Sequence, residues 1–348
     1  MKTCIRSFFV IAGFAMAALC TFWTSPVLAI ETIAREAVII DATTGRILFD
    51  KNADRRMPPA SMSKLMTVYM VFSQLRDGNL SMEDTFRVSE NAWRKGGAKS
   101  GSSTMFLDPN SRVSVEELLM GIIVQSGNDA CIVVAEGISG SEPAFAEAMT
   151  AKAREIGMTG SNFANATGWP DPDQYTTAHD LAILALKTIN EFPEYYHFYA
   201  VTEYTYNGIR QTNRNPLLYK GIGADGLKTG HTSEAGYGLT ASAERNGRRI
   251  IAVVNGLNSK KERSSESERL MDWAFREFNN YALFAENDVV SEAEVWLGTA
   301  GRVPLVIDRD VVITMPRKAR KGMKVTIKYE GPIPAPIKAG TPIASLEI

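Results

Sequence analysis

At 348 residues, with 45% hydrophobic and 22% charged content, the chain has an ordinary globular composition and room for two domains. A formal net charge of −1 leaves nucleic-acid binding without electrostatic support and excludes it as a partner. His179, His197 and His231 lack metal-ligand spacing and no His-Glu-x-x-His occurs, so neither a metal nor any other cofactor is expected.

Lys2 and Arg6 precede an apolar run from Phe8 to Trp23, and Val27-Leu28-Ala29 supplies small residues at its end. This pattern predicts a secretory signal peptide over residues 1–29, cleaved after Ala29, and hence an exported, periplasmic protein. Cys4 and Cys20 fall in that segment. Cys131 then stands alone in the apolar run Ala130–Ala135 and reads as a buried structural thiol, so no internal disulfide is expected.

Ala37-Val38-Ile39-Ile40 and Ile47-Leu48-Phe49 flank a turn and read as a hairpin. Pro58-Pro59 ends extended chain. Ser61 then opens an apolar helix in whose first turn unpaired N–H groups favour a developing anion, and Lys64 follows one turn later. Residues 79–112 are polar and glycine-rich, which predicts a loop, with Gly96–Ser103 as a rim or lid. Helices are expected from Val113 to Val124, over 129–138 (apolar almost all round, hence central), over 143–157, and from a capped start at Thr176-Thr177 to Asn190. Strands return at Asp225–His231, Tyr237–Ala243 and Arg249–Val254, the last two joined by Asn246-Gly247, and a helix spans Ser264–Phe278. Strands at both ends with helices between predict an α+β domain over 30–284 in which the terminal strands share one sheet. From 285 to 348 helical periodicity disappears, Met323–Tyr329 alternates, and prolines punctuate, which predicts a small β-rich domain. Its basic run Arg317–Lys321 reads as a solvated turn, with an anionic envelope surface as the alternative partner.

Three short motifs stand in order: Ser61-x-x-Lys64, Ser126-Gly127-Asn128 and Lys228-Thr229-Gly230, with the leading residues of neighbouring motifs 65 and 102 positions apart. A Ser-x-x-Lys match alone is expected about once or twice in a chain of this composition, whereas the ordered set at a helix start, an inter-helix turn and a strand is specific. Ser89-Glu90-Asn91 is a second Ser-x-Asn, set aside because no apolar helix follows it.

The set resembles the penicillin-recognising serine acyl-enzymes, and most closely the low-molecular-weight D-alanyl-D-alanine carboxypeptidases with a β-rich second domain. The resemblance runs from about Ile33 to Ile348 and is carried by Pro59–Lys64, Asn128-Asp129-Ala130 and the long run Asp225–Tyr237. It implies a serine peptidase that trims D-alanine from peptidoglycan stem peptides and is acylated by β-lactam antibiotics. By resemblance, the backbone N–H groups of Ser61 and His231 form the oxyanion hole. The family commonly continues into a C-terminal amphipathic helix lying on the membrane. The sequence reaches Ile348 without one, so truncation and an unanchored protein both stand open, and with them peripheral membrane contact.

The chemistry fits these residue types on its own terms. Ser61 attacks the peptide carbonyl, and Lys64 serves as base once burial or a second cation, Lys228, depresses its pKa. Ser126 relays the proton towards the leaving amine, and Asn128 orients Lys64 or the substrate amide. Lys228 and Thr229 bind the terminal carboxylate, while Gly230 lets substrate lie along the strand. A class A β-lactamase shares the motifs but needs a glutamate roughly 30–40 residues after Ser-x-Asn, where Gly160–Thr167 here carries no acid. A DD-endopeptidase and a non-catalytic wall-binding protein remain as further alternatives.

Overall fold

The computed structural model describes residues 30–348; the signal segment expected over 1–29 lies outside the described residues. β1 (Glu36–Asp41) and β2 (Ile47–Lys51) form the expected hairpin, its turn held by Asp41 Oδ1, which accepts the N–H groups of Thr43 and Thr44. A short 3-10 turn, Ala60–Ser63, runs directly into α1 (Lys64–Arg76). Every residue of α1 from Lys64 to Ser73 is buried, as its nearly unbroken apolar run requires of a core helix.

The glycine-rich stretch is more ordered than its composition predicts. β3 (Thr85–Arg87) and α2 (Glu90–Gly96) precede a return strand β4 (Arg112–Ser114), which pairs with β3. Ser89, in the Ser-x-Asn set aside above, is the N-cap of α2, its Oγ accepting the Ala92 N–H. α3 (Val115–Ile123) opens with a Ser114/Glu117 capping box, and α4 (Asn128–Ser139) has its first eight residues buried. The seven-residue α2 packs against α4; tertiary packing holds it, since a helix this short has little stability of its own. Cys131 lies in α4 with its thiol pushed up to about 12 by burial, which keeps it protonated and inert.

α5 (Glu142–Glu155) and α6 (Ala178–Glu191) follow, the latter capped by Thr177 Oγ1, which accepts the Asp180 N–H. A hairpin of β5 (Glu203–Tyr206) and β6 (Ile209–Thr212) then turns on Asn207-Gly208, both at positive φ. β7 (Ala224–Thr232), β8 (Gly236–Arg245) and β9 (Arg248–Leu257) complete the sheet, and α7 (Lys260–Glu277) closes this part.

The sheet order is β2-β1-β9-β8-β7, all antiparallel, so the first strands of the chain pair with the late ones as expected. α6 and α7 both pack on the central strands. Val38, Ile39, Leu239, Ala241, Ile251 and Val253 are accordingly fully enclosed. β7 is an edge strand.

The chain then continues through β10 (Phe278–Phe284), β11 (Val289–Trp296), β12 (Arg302–Val306), β13 (Val311–Pro316), β14 (Thr326–Lys328), β15 (Ile333–Pro334) and β16 (Ser345–Glu347). β10 pairs with β13, β12-β11-β15 form a small sheet around Ala293, Leu305 and Ile333, and β14 pairs with β16. The basic run Arg317–Lys321 forms an exposed 3-10 turn after β13. Among the described residues no helix is long and apolar enough to cross a membrane.

One buried ion pair links these strands to the main sheet. Arg248 Nε donates to Asp41 Oδ2 at 2.8 Å, and Arg248 Nη1 donates to the Phe278 carbonyl at 2.8 Å. Asn280 Nδ2 donates to Asp41 Oδ1 at 3.1 Å. Asp41 is fully buried, so Asp41→Ala would strand the Arg248 guanidinium in the interior. The expected cost is about 3–5 kcal/mol, read as a fall in the urea midpoint; a change below about 1 kcal/mol would show that the pair is dispensable.

Candidate active site

Ser61 lies half-buried on the 3-10 turn before α1. Its neighbour Ala60 is held at φ +48°, a left-handed conformation that costs a non-glycine residue roughly 1–3 kcal/mol. Gly168 packs against it so closely that a Cβ there would sit 1.9 Å from the Ala60 carbonyl oxygen. Lys64 is fully buried one turn along. Its Nζ donates to Ser61 Oγ at 3.0 Å and to the Thr167 carbonyl at 2.5 Å. Burial pulls the Lys64 ammonium down to about 8, so a substantial neutral fraction exists near physiological pH.

The turn between α3 and α4 presents Ser126 at φ +61° and Asn128 on the first turn of α4. Lys228 Nζ donates to Ser126 Oγ at 3.0 Å. Lys228 is also buried, and desolvation, with Lys64 and Arg214 nearby, holds its ammonium well below the usual lysine range. Asn128 Nδ2 donates to Ser102 Oγ at 3.0 Å, while its buried Oδ1 has no hydrogen-bond partner.

The third motif lies on the open side of β7. Ser61, Ser126, Thr229, Gly230 and His231 line one cavity of about 470 Å³, with Lys64 hydrogen-bonded to Ser61 and Lys228 to Ser126. A Cβ on Gly230 would meet the Pro59 carbonyl oxygen at 2.9 Å and Met62 N at 3.2 Å, so this glycine also lets β7 dock against the turn that carries Ser61. The His231 and Tyr237 rings lie 3.9 Å apart between centroids, and burial together with Arg263 and Lys260 lowers the His231 pKa. Seven of the eight residues singled out from the sequence therefore line or underlie one cavity, while Asn128, on the first turn of α4, directs its side chain to Ser102.

Sequence reasoning missed Arg214, Tyr237, Lys260 and Arg263, which complete the cavity wall. Ser103, from the glycine-rich run read as a rim or lid, also lines it. Arg214 follows the β5–β6 hairpin, whose Asn207-Gly208 was the available signal, and donates to Ser103 Oγ. Arg263 comes from α7 with its Nε buried and unpartnered, and burial lowers it to about 10. No carboxylate lines this cavity, so it is built for an anion.

An antiparallel sheet flanked by helices, carrying a serine and a buried lysine one turn apart with a second serine–lysine pair on the facing elements, defines the class of penicillin-recognising serine hydrolases. The chain belongs to the D-alanyl-D-alanine carboxypeptidase family, peptidase family S11, which it matches over residues 23–259. Residues 278–348 match the C-terminal domain of penicillin-binding protein 5. It is 37% identical over 317 residues to D-alanyl-D-alanine carboxypeptidase DacC of Escherichia coli K12, covering 90% of this chain and 79% of that protein. Penicillin-binding protein 5 from Haemophilus influenzae superposes with a TM-score of 0.83 at 38% identity, over 92% of this chain and 93% of that one. Penicillin-binding protein D2 from Listeria monocytogenes, in its ampicillin-bound form, superposes with a TM-score of 0.61 at 29% identity, over 71% and 99%. The chain is thus a serine-type D-Ala-D-Ala carboxypeptidase, and these matches do not favour an endopeptidase, a β-lactamase or a non-catalytic wall-binding protein.

The site's geometry depends on a carboxylate that touches none of the cavity. Fully buried Asp129 accepts from the Met105 N–H at 2.8 Å, the Leu107 N–H at 3.1 Å and Thr104 Oγ1 at 2.6 Å, pinning residues 104–107 over the start of α4. Asp129→Ala leaves those donors buried and unpaired. The expected loss is about 3 kcal/mol or more in unfolding free energy, with new protease cleavage between residues 100 and 107. Retention of wild-type stability and protease resistance would refute it.

Proposed function

We propose that Ser61 is the nucleophile and Lys64 its general base. The supporting observation is the 3.0 Å contact of Lys64 Nζ with Ser61 Oγ in a site where burial brings that amine to about 8. The terminal carboxylate of a peptidoglycan stem peptide enters the cationic cavity, held by Lys228, Thr229 and Arg214. The peptide extends along the edge of β7. Neutral Lys64 takes the Ser61 proton as Oγ attacks the carbonyl carbon of the penultimate D-alanine. The backbone N–H groups of Ser61 and His231 receive the oxyanion. Lys64 gives up that proton through the Ser126 hydroxyl, held by Lys228, to the departing amine, so Ser126 and Lys64 return to their starting states and D-alanine leaves. Asn128 presents an acceptor without a partner and orients the substrate amide. Water then hydrolyses the acyl-enzyme, closing the cycle.

β-Lactams acylate the same serine, since their carboxylate and strained amide meet the same cations and nucleophile. Gly160–Thr167 carries no carboxylate, and Lys64 is met there by the Thr167 carbonyl. Deacylation of a penicilloyl-enzyme accordingly lacks the base a class A β-lactamase uses. The apolar, weakly basic opening segment supports action in the periplasm. The exposed run Arg317–Lys321 supports peripheral contact with the anionic face of the inner membrane. We assign residues 30–284 to catalysis and 285–348 to an accessory β-rich domain.

Incubation with labelled penicillin is expected to label Ser61 covalently. A D-Ala-D-Ala pentapeptide is expected to release D-alanine at a rate that Ser61→Ala lowers by roughly 10⁴-fold or more. Absence of both in the wild-type protein would refute the reading. The pH dependence has a definite sign: only neutral Lys64 accepts a proton, so acylation rises by about tenfold per pH unit and levels off near about 8. A penicillin acylation rate that stays flat between about pH 6 and 8 would remove Lys64 as the base.

A further inference from the structure

Residues 162–175 leave and rejoin the fold at one point, where Asn162 and Tyr175 exchange backbone hydrogen bonds of 2.8 and 3.1 Å. Between them the chain is irregular, yet Ala166, Thr167 and Gly168 are buried. A buried loop must have its polar backbone atoms met one by one, and here side chains meet them. Thr67 Oγ1 donates to the Ala166 carbonyl at 2.7 Å, and Glu142 Oε1 accepts the Ala166 N–H at 3.3 Å. Gln174 Oε1 accepts the Ala164 and Asn165 N–H groups at 2.6 and 3.1 Å.

Asn165 holds the most. Its Oδ1 accepts from the Thr167 N–H at 3.1 Å, Thr167 Oγ1 at 2.9 Å, the Gly168 N–H at 2.8 Å and the Trp169 N–H at 3.1 Å. Its Nδ2 donates to the Trp169 carbonyl at 3.1 Å. The Gly168 N–H and the Thr167 carbonyl belong to one rigid peptide plane, so a side chain that grips the first also aims the second. That carbonyl accepts from Lys64 Nζ at 2.5 Å, and Gly168 packs on the Ala60 carbonyl, next to Ser61.

To act as a base, neutral Lys64 must turn its lone pair towards Ser61 Oγ. A carbonyl oxygen only accepts, so the Thr167 carbonyl takes one of the amine's two N–H bonds and restricts where the lone pair points. The proton then passes from Oγ to that lone pair while Oγ bonds to the substrate carbonyl carbon.

We propose that Asn165 is a positioning residue for acylation: by gripping the Gly168 N–H it holds the Thr167 carbonyl on Lys64, and so keeps the lysine lone pair turned to Ser61. The inference rests on the proposed role of Lys64 as base. Asn165 does not line the substrate cavity, so its effect falls on bond making and leaves binding alone.

Labelled penicillin separates the two, through its saturating acylation rate constant and its half-saturating concentration. Asn165→Ala is expected to lower the rate constant by about 10- to 100-fold, with the half-saturating concentration within about threefold of wild type. Asn165→Asp keeps an oxygen for the same four donors and is expected to recover the rate to within about threefold. The rates are compared at about pH 9, where Lys64 is mostly neutral, so that the added carboxylate does not act through its ionisation. A thermal melt accompanies each variant. Asn165→Gln, which displaces the amide by one methylene, replaces Asn165→Ala if that chain does not fold, and is expected to show the same split. Wild-type acylation by Asn165→Ala, a loss confined to the half-saturating concentration, or an Asn165→Asp protein as slow as Asn165→Ala overturns the role. If penicillin does not label Ser61 in the wild-type protein, the proposed reaction itself fails, and the role of Asn165 with it.

Discussion

Two lysines buried under one cavity set the terms for the rest of the molecule. Neither Lys64 nor Lys228 has a carboxylate for a partner; each spends a hydrogen bond on a serine hydroxyl instead. An ammonium in that position is expensive, and the fold pushes both groups towards their neutral forms. Since their folded pKa values lie below those of the unfolded chain, the folded state gains stability as pH rises towards the ordinary lysine range and loses it as pH falls. What is lost in stability is available as reactivity, because a lysine near neutrality is the kind of base a serine nucleophile requires.

Holding two such groups in place takes a rigid surround, and the surround is strained where it meets them. Ala60 and Ser126 both adopt left-handed backbone, and each stands beside or at a residue of the site. The supports are correspondingly strong. α1 is buried almost throughout, Asp129 ties residues 104–107 to α4, and Gly168 closes against Ala60. The Asp41–Arg248 pair serves the sheet in the same way, with its carboxylate satisfied by backbone and side-chain donors.

The motif residues were legible because each needs a particular local setting that sequence encodes: a helix start, an inter-helix turn, a strand. The sheet's closing of N- and C-terminal strands followed from periodicity, and Asn246-Gly247 marked its hairpin. What sequence did not reveal lies where tertiary packing decides. α2 has a polar sequence and forms because α4 offers it a surface, while its capping Ser89 looks like any loop serine. Arg214, Lys260 and Arg263 carry no motif. They become a cationic wall only because the β5–β6 hairpin and α7 bring them to the end of β7. The Thr167 carbonyl that meets Lys64 is a backbone atom, which residue identity cannot signal.

The position of β7 at the border of the sheet has a further consequence. A strand whose outer hydrogen-bonding groups are free is a template for any other extended chain, including a neighbouring molecule's. Here the strand is covered near its start, where Asn215 Nδ2 donates to the Gly226 carbonyl at 2.8 Å. Further along it borders a recess ringed by Arg214, Lys260 and Arg263. The same like-charged ring that welcomes a single carboxylate repels an identical ring on another copy of the chain. The proposed entry of a peptide tail and the approach of a second copy thus meet opposite electrostatics at this edge.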